Sequence, residues 1–118
     1  MKTAQQLIDE AKAQIRQVTP REVQESVARG EPLVLVDIRE QNEWSLGHIP
    51  NAVYIGRGVL ERGMEAQVPR DANVVLYCQS GNRSALAARV LEEMGYTKVA
   101  SMAGGIRDWV DVGGEVED

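Results

Sequence analysis

This sequence predicts an α/β fold, a central parallel sheet with helices on both faces, and three features predict it. Two short runs, Leu33-Val34-Leu35-Val36 and Val74-Val75-Leu76-Tyr77, are apolar without alternation, as strands buried on both faces are. Stretches with helical spacing precede, separate and follow them, and strands alternating with helices imply parallel pairing. The chain has 118 residues, 43% of them hydrophobic and 26% charged, which suits one domain with one sheet and a real core.

The elements follow in order. Leu7, Ile8, Ala11, Ile15 and Val18 recur at helical spacing, so residues 1–18 read as an amphipathic helical extension ahead of a main domain over residues 19–118. A stripe of that width ordinarily faces its own core; a docking surface for a protein partner and a dimer contact are the alternatives. Thr19-Pro20-Arg21-Glu22 starts a second helix: a Thr N-cap, Pro at the first helical position and Glu placed for a capping box, with Gly30 suited to end it. The apolar run at 33–36 is a strand bounded by Pro32 and Asp37, and Val53-Tyr54-Ile55 is a shorter one. Residues 59–68 read as a helical connection, against which Gly58 and Gly63 weigh. The run at 74–77 is the next strand. After it, Ala87, Val90, Leu91 and Met94 mark the buried face of a helix that stops at Gly95. Lys98-Val99-Ala100-Ser101 supplies another strand and residues 106–112 a last short helix, before an acidic tail over 113–118 that reads as frayed.

Charge and cysteine usage narrow the function. A net charge of −5 argues against nucleic acid or an anionic membrane surface as partner, so an anionic substrate must be drawn in locally. A single cysteine permits no internal disulfide and no Cys-x-x-Cys redox pair, which fits a reducing compartment. The first residues lack the apolar core of a signal peptide, and no run has the length of a membrane span, so a cytoplasmic location is the expectation. With one His and one Cys, no metal-ligand spacing is present, and no cofactor is expected.

The chemistry centres on Cys78. It closes the apolar run at 74–77 and opens the polar loop Cys78-Gln79-Ser80-Gly81-Asn82-Arg83-Ser84, with a helix following at once. Strand, tight loop and helix N-terminus together make an anion site, where loop N–H groups converge at the positive end of the helix. Parallel sheets bind ligands at the carboxyl ends of their strands, which is where this thiol falls. Negative charge is stabilised at helix N-termini and beside arginine, so a thiolate nucleophile is expected. The plainer reading of a lone cysteine is an inert core filler. A filler would sit within the apolar run rather than at its edge facing Gly81 and Arg83.

Three separated segments resemble the rhodanese homology family. Asp37-Ile38-Arg39-Glu40 with Glu43-Trp44 and Gly47-His48-Ile49-Pro50-Asn51-Ala52 is similar to its N-terminal signature. Tyr77 to Ser84 resembles its active-site loop, and Gly104-Gly105 followed by Trp109 its C-terminal signature. The resemblance runs from about Val18 to the end and implies a rhodanese-like fold and a sulfurtransferase. Cys78 would take sulfane sulfur from a donor such as thiosulfate as a persulfide. It would then pass that sulfur to a thiophilic acceptor, cyanide in vitro or a thiol in the cell. Backbone N–H groups of Gln79, Ser80, Gly81, Asn82, Arg83 and Ser84 would hold the persulfide, in the manner of an oxyanion hole.

Individual residues leave alternatives open. Gly81 accepts the positive φ of a tight curl, and Asn82 also tolerates the left-handed region. Arg83 either binds the sulfonate end of a donor or braces the loop through a carboxylate. Ser84 caps the following helix or donates its hydroxyl to the persulfide. His48 is read as a structural turn residue rather than a general base. Asp37, Arg39 and Glu43 read as a buried or half-buried ion cluster, and Trp44 and Trp109 as core aromatics with partnered N–H groups.

Two other functions compete. A non-catalytic rhodanese-like binding module or sulfur-relay carrier would use the same domain, though such modules often lack the cysteine. A cysteine phosphatase or arsenate reductase would share the loop architecture. Those enzymes resemble this chain with five residues between Cys and Arg, whereas four separate Cys78 from Arg83, and the smaller loop favours a single sulfur.

Overall fold

The structure, a computed structural model, describes all 118 residues. Eleven of its elements are regular. The helices are α1 (Ala4–Gln14), α2 (Pro20–Ala28), α3 (Gln41–Leu46), α4 (Leu60–Gln67), α5 (Asn82–Glu93) and α6 (Gly105–Asp111). The strands are β1 (Arg16–Val18), β2 (Val34–Asp37), β3 (Val53–Tyr54), β4 (Val74–Tyr77) and β5 (Val99–Met102), with a short 3-10 turn at Arg57–Val59 leading into α4. The five strands form one sheet in the order β1-β5-β4-β2-β3, parallel throughout. No helix is long and apolar enough to cross a membrane.

Alternation along β4 divides the core. Val74, Leu76 and, just past the strand, Cys78 point to one face, packed with Ala11 and Ile15 near α1, Leu60 and Met64 of α4, and Ala85, Ala88 and Leu91 of α5. Val75 and Tyr77 point to the other, against Val23 of α2 and Ile106 and Trp109 of α6. Helices therefore cover both faces, and the unbroken apolar runs at β2 and β4 are explained by burial on two sides. Fully burying each such side chain stabilises the fold by about 1.5–3 kcal/mol. The α2 start is as expected: Glu22 N–H donates to Thr19 Oγ1 at 3.1 Å and Thr19 N–H to Glu22 Oε1 at 2.9 Å.

The ends of the chain depart from expectation. The first helix does not reach Val18: it ends at Gln14, and Arg16–Val18 form the edge strand β1, in register with Ala100, Ser101 and Met102. Pairing there gives the free edge of β5 its backbone partners, which outweighs three more residues of helix. Leu7 is exposed, and Ala11 and Ile15 carry the packing of this segment onto the core. The acidic tail is not frayed at Glu117, whose N–H and C=O both bond the backbone of His48 at 2.9 and 2.8 Å. On α5 the buried positions are Ser84, Ala85, Ala87, Ala88 and Leu91, while Val90 and Met94 are half-buried. Its alanines let α1 and the sheet approach from two sides at once, so the covered arc is wider than one stripe.

Candidate active site

Central position in the sheet puts the end of β4 between the ends of β2 and β5. Cys78 stands there, 1% exposed. The chain then curls back within four residues to begin α5, and Gly81 makes the curl possible with φ +94°. A Cβ on Gly81 would lie 3.0 Å from the backbone nitrogen of Gly104, so the position requires glycine for space as well as for conformation. Asn82 is the first residue of α5, which leaves the left-handed turn to Gly81 alone.

The sulfur sits among donors. Gly81 N–H points to Cys78 Sγ at 3.2 Å and Ser84 N–H at 3.4 Å, and Ser84 Oγ lies 3.5 Å away. Ser84 does not cap the helix, whose N-cap is Gly81; its buried hydroxyl is shared between the sulfur and Ser101 Oγ at 2.7 Å. Two N–H groups on one sulfur form a site for negative charge, strengthened by burial from water. Of the loop residues expected to face the sulfur, Gly81 and Ser84 direct their N–H groups to it. Gln79 is exposed and lines an open cleft of about 420 Å³, shared with Arg39, Glu43, Arg107 and Asp111, while Ser80 is half-buried in the bend.

Arg83 pairs with a carboxylate. Its Nη1 and Nη2 donate to Glu43 Oε1 and Oε2 at 2.9 and 3.1 Å, joining α5 to α3 across the loop. The Arg83 guanidinium holds the Glu43 carboxyl below its usual range, and Glu43 in turn raises Arg83. Glu43 thus leaves the cluster expected for it. Asp37 and Arg39 form a buried pair by themselves, with Arg39 Nη2 donating to Asp37 Oδ2 at 2.8 Å and to the Gly47 carbonyl at 2.7 Å. That pair ties the end of β2 to the turn after α3. Breaking one partner of such a pair costs about 3–5 kcal/mol, because the other charge is left buried alone.

The loop is also held from behind. Ile106 N–H donates to the Cys78 carbonyl at 3.0 Å and Arg107 N–H to the Gln79 carbonyl at 3.2 Å, so the first turn of α6 fixes both peptides next to the thiol. Sequence reasoning missed these two amides, the Arg83–Glu43 pair and Ser101. Ser101 carried a signal, since a hydroxyl within an otherwise apolar buried strand needs a partner. The amides carried none, because any residue supplies one.

His48 lies outside this constellation. Its ring stacks on Trp44 with centroids 3.5 Å apart and planes within 3°, its Nδ1 is 3.2 Å from the Trp44 carbonyl, and Nε2 faces Glu117 at 3.7 Å. Trp44 is half-buried in that stack rather than in the core, whereas Trp109 is buried and donates to the Glu115 carbonyl at 2.8 Å. His48→Gln is expected to keep turnover within a few-fold and to lower stability by about 1 kcal/mol, the worth of an aromatic stack. Steady-state rates beside a thermal melt check this; a loss of about a hundredfold or more at unchanged stability would mark a general base instead.

Comparison with known proteins adds four findings. The family described as "Rhodanese-like domain" matches residues 19–111. "Probable adenylyltransferase/sulfurtransferase MoeZ" of Mycobacterium tuberculosis is 36% identical over 93 residues, 78% of this chain but 24% of that protein, so the chain spans about a quarter of its length. A "Sulfurtransferase" of Allochromatium vinosum is 34% identical over 95 residues, covering 80% of this chain and 88% of that one. A solved structure from Rhodopseudomonas palustris, a protein of unknown function described as "Possible Tyrosine Phosphatase", superposes with a TM-score of 0.90 at 34% identity, over 99% of this chain and 96% of that one.

Proposed function

Since the chain belongs to the rhodanese-like domain family, we propose that it moves sulfane sulfur from a donor such as thiosulfate to a thiophilic acceptor through a persulfide on Cys78. The observation that carries this reading is the convergence of the Gly81 and Ser84 N–H groups on Sγ. In the first step the Cys78 thiolate attacks the outer sulfur of thiosulfate. The new S–S bond forms as the old one breaks, and sulfite leaves with the bonding pair. The persulfide's terminal sulfur then carries the negative charge, next to donors already in place. In the second step an acceptor, cyanide or a thiolate, attacks that terminal sulfur. Thiocyanate or a new persulfide leaves and the Cys78 thiolate returns. No general base is needed once the thiolate exists, which agrees with the remote, stacked position of His48.

A relative named as both an adenylyltransferase and a sulfurtransferase favours a sulfur relay with a protein partner. A single cysteine without a resolving thiol suits this, because the sulfur must leave to another molecule. The same usage suits a reducing compartment, and the cytoplasm is the location that goes with this reading.

The description of the Rhodopseudomonas palustris relative brings phosphate-ester hydrolysis into the comparison. Two features weigh against it here. The loop places four residues between Cys78 and Arg83, one fewer than a phosphate-cradling loop of that kind has, so fewer backbone N–H groups are available to surround a bound phosphate. The Arg83 fork, which would have to grip such an anion, is committed to Glu43. Assaying one preparation for thiocyanate formation from thiosulfate and cyanide, and for hydrolysis of an aryl phosphate, decides between the two. Sulfur transfer with negligible hydrolysis is expected. Ready hydrolysis without sulfur transfer would overturn the proposal.

A further inference from the structure

We propose that Ser101 of β5 is a positioning residue for the nucleophile, acting through Ser84 to commit a hydroxyl proton to the Cys78 sulfur. Three buried side chains, from β5, α5 and the loop after β4, stand in a row here. Ser101 Oγ and Ser84 Oγ are 2.7 Å apart, Ser84 Oγ and Cys78 Sγ 3.5 Å, and the residues are 0%, 0% and 1% exposed.

Counting protons gives the row a direction. Two contacts join the three groups, so two hydrogens fill them. With Cys78 as a thiolate, the two hydroxyls supply those two: Ser101 donates to Ser84, and Ser84 donates to sulfur. With Cys78 as a thiol there are three hydrogens for two contacts. One is then left pointing at no acceptor in the buried interior, which carries a penalty for a buried polar group. The Ser101 hydroxyl has no other hydrogen-bond partner in the structure. Its proton therefore occupies the 2.7 Å contact, and the Ser84 proton is left with sulfur as its acceptor. The two backbone N–H groups at Sγ have the same preference, since each needs an acceptor there.

Register puts Ser101 in place. Ser101 pairs with Leu76 in the β4–β5 ladder, two residues before Cys78, and with Gln17 of β1 on its other side. A backbone fixed by strands on both sides gives the hydroxyl little freedom, so the Ser84 rotamer is set from a rigid element.

This rests on the sulfur-transfer reading only in taking Cys78 to work as a thiolate, and alkylation by iodoacetamide tests it without any sulfur donor. The charged groups around the loop, Arg83 of α5, Glu43 of α3, Arg39 after β2, and Arg107 and Asp111 of α6, are the same in every variant compared. Ser101→Ala, which leaves the Ser84 hydroxyl in place but removes the donor that orients and polarises it, is expected to slow alkylation of the native protein a few-fold. Ser84→Ala, which removes the hydroxyl at the sulfur itself, should slow it further, about tenfold, and adding Ser101→Ala to it should change nothing more. Ser101→Thr, which keeps the hydroxyl and suits a strand, should restore the wild-type rate. An unchanged rate in Ser101→Ala would overturn the proposal. So would an undiminished effect of Ser101→Ala in the Ser84→Ala background, since Ser101 would then act by packing alone. A thermal melt of each variant identifies any that is misfolded, and Ser84→Ala with its double variant still decides the matter if Ser101→Thr is.

Discussion

Cys78→Ser is expected to fold as the wild type does and to lose thiosulfate:cyanide sulfur transfer to below a few per cent. Serine differs from cysteine by one atom and finds the same donors, Gly81 N–H and Ser84 N–H, so the loop has every reason to close around it. Its hydroxyl is not ionised at neutral pH, and it forms no persulfide. A nucleophile that becomes covalently loaded cannot be replaced by one that does not load. Thiocyanate formation beside a circular dichroism melt measures both halves of the expectation. Activity retained in this variant would place the transferred sulfur elsewhere.

Gly105→Ala is expected to do nearly as much damage from behind the loop. Gly105 has φ +61°, and a Cβ there would lie 2.5 Å from the Cys78 carbonyl oxygen and from both carbonyl atoms of Gln79. Backbone atoms of a tight loop cannot swing aside as a side chain would. The loop must move by an ångström or so, which takes the amides off the sulfur and can cost about a hundredfold in rate. Strain at the positive φ and overpacking add a destabilisation of about 1–3 kcal/mol. Turnover and urea denaturation of the same preparation separate the two effects. A variant with normal rate and normal stability would show that the approach of α6 to the loop is not what holds it.

These two positions also mark what a sequence discloses. Cys78 was legible because its signal is local: an apolar run, a polar loop and a helix start within a dozen residues. The same holds for Thr19 with Glu22, whose capping box needs only three residues of separation. Gly104-Gly105 was legible as a signature, yet nothing nearby in the chain says that its glycine meets the Cys78 carbonyl, 27 residues earlier in the sequence. Glu43 is the clearest case of a long-range choice. Asp37 and Arg39 are its neighbours in sequence, but they satisfy one another in the interior, and Glu43 turns to Arg83 across the loop. The short helix α3 escaped notice because six residues give helical periodicity too little length to register. Edge strand β1 did so because three residues continuing an amphipathic stripe look the same until β5 supplies a partner.

Intact mass spectrometry after incubation with thiosulfate tests the central claim most directly. The wild-type protein should gain the mass of one sulfur atom, lose it on adding cyanide or a thiol, and show no gain as Cys78→Ser. A wild-type chain that stays unmodified under those conditions, or a Cys78→Ser chain that still takes up sulfur, would contradict the account.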